Sequence, residues 1–338
     1  MLEAGATALV TFVFLAFASW CVGEGGEILG KKYDASIIGG LLIAWLNTAP
    51  EAIFFVTALS SGNVRFAVGA VSGSSIVVCT IALGCCIWIG TKNRRGGLVQ
   101  LQPPVRRQCL ILMLSLFIPL TLAMFGFSMI LGFAGVGFYL MFILNSLFYK
   151  LPEVEKEDDL EAAHDEDEED EHANDSLAKG VAMLVLGGAL ICFFSKPFID
   201  SVVELASSLD VNPILLAFFL APIASEMPEI LESISLSRKG NSQSINIAFS
   251  NLIGGTISKT SFLMGVFCFY GTVYTFEWES PTYTLSIILI IMCSLCAGAI
   301  GYFANKLQSY HGLLLFALFA VTGLTQYYNN VSIETLQI

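Results

Sequence analysis

Long apolar runs decide what this chain can fold into. Ten of them approach or exceed the ~20 residues that a helix needs to cross a bilayer. They lie at roughly 5–29, 36–60, 65–91, 107–125, 127–149, 178–204, 211–236, 243–270, 282–304 and 308–328. Composition agrees with that reading. The 338 residues are 55% hydrophobic and 13% charged, where a soluble domain carries about a quarter charged residues. The expected fold class is an all-α polytopic membrane protein with about ten transmembrane helices. The N-terminal run lacks the basic segment of a signal peptide and carries Glu3 instead, so it is expected to stay as the first helix.

Charge divides the chain. Fourteen of its 28 acids lie between Glu153 and Asp175, which leaves 14 acids and 15 bases elsewhere. The net charge of −12 therefore belongs to one acidic loop, and no basic face for nucleic acid is left. The expected organisation is a first five-helix unit over 1–149, an acidic linker over 150–177, a second five-helix unit over 178–330 and a tail over 331–338. A block of like charges without an apolar period stays solvated and disordered. The sharper alternative is a diffuse, low-affinity divalent-cation sensor, since no calcium loop with a central glycine is present. When loops are numbered alternately, 13 lysines and arginines fall on one side and only Arg65 on the other. By the positive-inside rule the linker is cytosolic and both termini face outward. Asn330-Val-Ser332 is a glycosylation sequon on that outward tail. The nine cysteines read as small core residues, including the Cys293/Cys296 pair, and His164, His172 and His311 have no metal-ligand spacing.

A repeat links the two halves. Residues 25–63 lie over 203–241 at a constant offset of 178, with Pro50-Glu51 on Pro228-Glu229 and Gly62-Asn63 on Gly240-Asn241. After a three-residue insertion, "GAVSGSSIVV" (69–78) meets "SNLIGGTISK" (250–259). The loop count gives the two copies opposite orientations, so the ten helices read as two inverted-topology five-helix repeats. Such repeats place a substrate near the bilayer midplane, on helices broken at their centres. Pro50 and Pro228 suit that role, because a proline frees the carbonyl four residues back. At membrane depth a cation can take that carbonyl.

Glu51 and Glu229 are mates in this repeat, and each sits midway along its span. An ionisable group there costs at least ~2.5 kcal/mol unless paired, hydrated or neutralised. The expected role of both is to coordinate a cation; the bland alternative is a protonated glutamate bonded to a neighbouring helix. Oxygen is plentiful around them. Asn47 and Thr48 precede Pro50, and Ser225 and Glu226 hold the same places before Pro228. Ser72, Ser74 and Ser75 lie on the third span, and Ser250, Asn251, Thr256 and Ser258 on the eighth. Gly73, Gly254 and Gly255 would allow close helix approach. Carboxylate, hydroxyl, amide and carbonyl ligands suit Ca2+, Mg2+, Mn2+ or Na+ rather than zinc or copper.

The motifs "LNTAPEAI" with "GAVSGSSI", and "IASEMPEI" with "SNLIGGTI", resemble the two alpha repeats of the calcium/cation antiporter superfamily, the sodium/calcium exchanger-like membrane proteins. The ten-helix layout and central acidic loop agree with the resemblance. It implies that Glu51 and Glu229 are the main Ca2+ ligands, completed by Thr48, Ser225 and Ser74, with the ion as cargo and no resident cofactor. It also implies inorganic cations and the lipid bilayer as the partners. Two positions depart from the pattern: where sodium/calcium exchangers carry a further Asn or Asp, this chain has Val78 and Lys259. The second repeat also gains Glu226 and Glu232, which with Glu229 share one helix face at i, i+3 and i+6. Lys259 is expected to pair with Glu226. Glu232 reads equally as a vestibule residue or an exposed one.

A fixed ammonium fills charge space that Na+ would take, and crowded carboxylates hold protons more tightly. The expected activity is therefore antiport of Ca2+, or a similar divalent cation, against H+ rather than Na+. A cation channel and a non-transporting sensor on the same fold are the alternatives. An intramembrane enzyme is disfavoured, because no Asp pair, Ser/His pair or zinc motif is present.

Overall fold

The computed structural model describes residues 2–30, 33–60, 64–94, 96–148, 169–208, 221–276 and 282–336. They are almost entirely helical. The first half runs α1 (Leu2–Gly30), α2 (Ala35–Ile37), a π-helical segment π1 (Ile38–Ile43), α3 (Ala44–Ser60), α4 (Val64–Val77), π2 (Val78–Ala82), α5 (Leu83–Asn93), α6 (Pro103–Ser115), α7 (Phe117–Phe125) and α8 (Met129–Phe148). The second half runs α9 (Glu169–Ser208), α10 (Ala221–Ser225), α11 (Met227–Arg238), α12 (Ser242–Ile257), π3 (Ser258–Leu263), α13 (Met264–Val273), α14 (Thr282–Phe303) and α15 (Ser309–Leu336).

Seven of these helical stretches are long and apolar enough to cross a membrane: Glu3–Gly30, Val71–Asn93, Pro103–Phe125, Met129–Phe148, Leu177–Val202, Ser242–Val273 and Tyr283–Phe303. The chain is thus an all-helical, multi-pass membrane protein. The expected spans at 36–60, 211–236 and 308–328 are not among the seven. The first is helical but split by π1, and the second is described only from Ala221 and carries three glutamates. The third is helical over Ser309–Leu336. Lipid-facing character shows on the outside, where Phe125, Ile130 and Phe148 are among the most exposed large apolar side chains.

Three local expectations differ from the structure. Residues 150–168 of the acidic linker lie outside the described residues, but Glu169 to Leu177 are already the first turns of α9. Acids at a helix N-terminus oppose the positive end of the macrodipole, which favours that extension. The tail expected after residue 330 continues α15 to Leu336, so the sequon falls in its last turns. Finally, α3 winds continuously through Pro50, and the irregularity in that helix is π1, upstream of it. Only the second proline sits at a break. The chain turns at Glu226 (φ −90°, ψ 7°) and restarts as α11 with Pro228 in its first turn, where a missing N–H costs nothing.

Close packing holds α12 against π1. A Cβ placed on Gly254 would lie 2.1 Å from Gly40 O, and one on Gly39 would lie 2.2 Å from Ile247 O. Only glycine permits that backbone approach, and it brings the region after Gly254 beside α3. The loops meet at one end of the bundle. Lys239 bonds Glu24 at 2.6 Å and also Glu27; Asn93 Nδ2 donates to Arg238 O at 3.1 Å, and Arg106 Nη2 to Tyr302 O at 2.7 Å. Val99 and Leu307 form an antiparallel bridge beside them.

Candidate functional site

Lys259 is the hub of the site. It is carried by π3, whose wider turn is a local geometry frequent at functional sites. Its side chain is 1% exposed. Nζ lies 2.8 Å from Glu226 Oε2 and 3.0 Å from Glu51 Oε2, and it donates to Ser74 Oγ at 2.6 Å. One ammonium thus ties α3, α4, the break before α11, and π3. Ser74 and Glu226 accept hydrogen bonds from it, and Glu51 is held as an ion pair. The trio of Lys259, Glu51 and Glu226 retains one excess negative charge when all are ionised.

Glu229 follows on the first turn of α11 and is 7% exposed. Its carboxylate makes no hydrogen bond to another side chain among the described residues, yet it senses the charges of Glu226, Lys259 and Glu51. Glu51 and Glu229, matched in the sequence repeat, thus share the electrostatic neighbourhood of Lys259 and Glu226. Several oxygens there are buried without a partner: Thr48 Oγ1, Glu51 Oε1, Ser72 Oγ and Ser75 Oγ. Buried polar atoms are nearly always hydrogen-bonded, so an unsatisfied group of this kind calls for an explanation such as an ion. Ser225 is turned back on its own helix, with Oγ donating to Pro222 O at 2.9 Å.

A second cluster lies beside the first. Glu232 is 0% exposed, which corrects the expectation of a vestibule or exposed position. Its helix packs against α1, α5 and α12, and that burial is invisible in the local sequence. Asn47 Nδ2 donates to Glu232 Oε2 at 2.9 Å, and Asn251 Nδ2 donates to Oε1 at 3.2 Å. The two asparagines expected around the cation are thus engaged with Glu232 through their amide nitrogens. The shared face expected for Glu226, Glu229 and Glu232 is divided, because the break at Glu226 turns that carboxylate to Lys259.

Among the described residues, no three His, Cys, Asp or Glu side chains converge as they would around a bound metal ion. Gln108 is a polar residue that sequence reasoning passed over. It is buried on α6, donates to Ser36 O at 2.9 Å and accepts from Ser250, so it pins α2 and α12 together. Its polar character inside an apolar span was the available signal.

The family described as "Sodium/calcium exchanger protein" matches residues 4–148 and 179–328. Among curated relatives, the sodium/calcium exchanger NCL1 of Oryza sativa subsp. japonica is 23% identical over 114 residues, covering 34% of this chain and 20% of that one. The sodium/calcium exchanger NCL of Arabidopsis thaliana is 22% identical over 120 residues, covering 36% and 20%. The matched part spans about a fifth of the length of these relatives. Among solved structures, the sodium-calcium exchanger NCX_Mj, soaked with Na+ and Sr2+, superposes with a TM-score of 0.74 at 17% identity, covering 94% of this chain and 96% of that one. The same exchanger soaked with 10 mM Na+ and zero Ca2+ gives 0.74, again at 17% identity, covering 95% and 98%. At that identity the likeness is one of fold.

Proposed function

The chain belongs to the sodium/calcium exchanger protein family, a family of transporters rather than enzymes, and from that premise we propose that it is a secondary active cation antiporter. It exchanges Ca2+, or a similar divalent cation, against protons by alternating access at a carboxylate site near the bilayer midplane. Glu51 and Glu229 are the principal ligands. Thr48, Ser74, Ser225 and the amide oxygens of Asn47 and Asn251 are the supporting oxygens. Lys259 and Glu226 form the charge pair that sets the coupling.

The observation that carries this reading is the ammonium of Lys259 between Glu51 and Glu226. It holds a place that a monovalent cation would otherwise take, which favours protons over Na+ as the coupling ion. A divalent ion arriving on Glu51 and Glu229 competes with Lys259 for Glu51. On departure the ammonium returns, and the carboxylates left over are neutralised by protons. The π segments support the inverted-repeat part of the proposal. π2 starts at Val78 itself and π3 at Ser258, one residue before Lys259, its mate in the alignment. Ten spans in two inverted units, with both termini outward and the acidic linker cytosolic, complete the arrangement. The 13 lysines and arginines that the alternating loop count assigns to one side support that orientation.

A non-transporting sensor is the second reading, favoured by the same fixed ammonium acting as a permanent substitute ion. Equilibrium binding of Ca2+ to the purified protein tests the site. Wild type is expected to bind, and Glu229→Gln to lose binding because a ligand carboxylate not held by Lys259 is gone. Unchanged binding in Glu229→Gln would remove Glu229 from the site.

A further inference from the structure

Two buried polar side chains of α6 have no part in the antiport reading, yet each bonds at or beside a π segment. From Gln108 to Ser115 the helix reads "QCLILMLS", polar only at its two ends. Seven residues are about two turns, so both side chains fall on one face. Both are buried. Gln108 Nε2 donates to Ser36 O at 2.9 Å, just before π1, and its Oε1 accepts from Ser250 Oγ on α12. Ser115 Oγ lies 2.9 Å from Thr260 Oγ1 on π3, one residue past Lys259. We infer that this face of α6 is a positioning element for the cation site. Gln108 fixes the register of π1, and with it the aim of Asn47, Thr48 and Glu51; Ser115 fixes π3, and with it Lys259. The link to cation affinity rests on the antiport reading above; the bracing itself rests on geometry.

Register is what a π segment puts at stake. Its backbone pairs at i+5 instead of i+4. Relaxing one such turn to α moves the helix that follows by one residue's step, about 100° of rotation and about 1.5 Å of rise. α3 continues directly from π1 at Ala44, so Asn47, Thr48 and Glu51 turn with it. A π1 that relaxed would swing all three away from Glu229 and Asn251.

The brace has one workable arrangement. The Ser36 carbonyl can only accept, so the amide nitrogen must face it and the amide oxygen is left for Ser250. An amide in an apolar span is costly to bury unless it is bonded in this way. Gly40 makes room for it, since a Cβ there would collide with the Gln108 amide. A Cβ on Gly39 would meet Asn251 N at 3.0 Å. π1 is thus held between α6 and the turn of α12 that carries Asn251.

Two readouts on the purified full-length protein test this. Hydrogen exchange in buffer free of divalent cation reads the bracing. Gln108→Met keeps the length and removes the amide; backbone amides over 38–51 are expected to exchange about tenfold faster, with those of α15 unchanged. Ser250→Ala deletes one hydroxyl and should show the same pattern more weakly; it carries the test should Gln108→Met fail to fold. Ser115→Ala is expected to speed exchange over Ser258–Leu263. Ca2+ binding to the folded protein reads the positioning. Gln108→Met is expected to raise Kd roughly 10–100-fold, and Ser115→Ala to move it in the same direction. Gln326→Leu is the control. Gln326 is buried on α15 and bonds Ser286 Oγ at 3.3 Å, so its loss loosens the core elsewhere and should leave Kd unchanged. Exchange unchanged in all three variants at the α6 contacts would overturn the bracing. A Kd unchanged in Gln108→Met and Ser115→Ala would overturn the positioning role, as would an equal rise in Gln326→Leu. A wild type that binds no Ca2+, with exchange speeded as expected, would uphold the bracing and sink the antiport reading together with the cation role that rests on it.

Discussion

Replacing Lys259 by methionine removes the ammonium and keeps most of the side-chain volume. In the structure that ammonium is the only cation within ion-pair distance of Glu51 and Glu226 among the described residues, at 3.0 and 2.8 Å. Deleting one partner of a buried pair costs about 3–5 kcal/mol. Two carboxylates lose the same partner here, so the upper end, about 5 kcal/mol, is the expectation. The cost should be recoverable by a ligand cation. A divalent ion present at about 100 times its Kd contributes about 2.7 kcal/mol to the state that binds it. The assay is unfolding of purified wild type and Lys259→Met in buffer free of Na+ and Ca2+, and again with Ca2+ added. The variant is expected to lose about 5 kcal/mol in the first buffer and regain about half in the second. Lys259→Met combined with Glu226→Gln should recover stability without any cation, because one bare charge is gone. A Lys259→Met protein as stable as wild type in cation-free buffer would refute the reasoning, since the carboxylates would then need no counter-charge.

Other consequences follow from single contacts. Gly254→Ala places a methyl 2.1 Å from Gly40 O, so the α12–π1 crossing must open; a loss of about 1–3 kcal/mol is expected in the same unfolding assay. Lys239→Ala removes a partly exposed ion pair with Glu24 and Glu27, and a change of about 0–1 kcal/mol, shrinking with added salt, is expected. Burial pulls the Lys239 ammonium toward deprotonation, but hydrogen bonds and charge from the two glutamates outweigh it and raise its pKa above the usual lysine value. That contribution is therefore complete at neutral pH and is lost only as pH climbs through the raised value, so wild type and Lys239→Ala should converge in stability at strongly alkaline pH.

Much of the fold is written in local hydropathy. Apolar runs such as 127–149 and 282–304 have one stable outcome in lipid, and both are helices in the structure. The carboxylates were equally legible, because Glu51, Glu226 and Glu229 stand out in apolar surroundings. What escaped the sequence depends on partners distant along the chain. The π segments carry no residue signature; π1 is shaped by the Gly39/Gly40 contact with α12, more than 200 residues away. Pro50 and Pro228 occupy the same motif, yet only the second sits at a break. Burial of Glu232 depends on three neighbouring helices, and the engagement of Asn47 and Asn251 with it depends on which face each presents. No window of local sequence contains that information.

The central claim is that this chain moves a divalent cation against protons through Glu51 and Glu229. Uptake of radiolabelled Ca2+ into proteoliposomes tests it most directly, with an imposed pH gradient in one set and a Na+ gradient in another, for wild type and Glu229→Gln side by side. The account predicts uptake driven by the pH gradient, indifferent to Na+, and abolished in the variant. Uptake that required the Na+ gradient and ignored the pH gradient would contradict it.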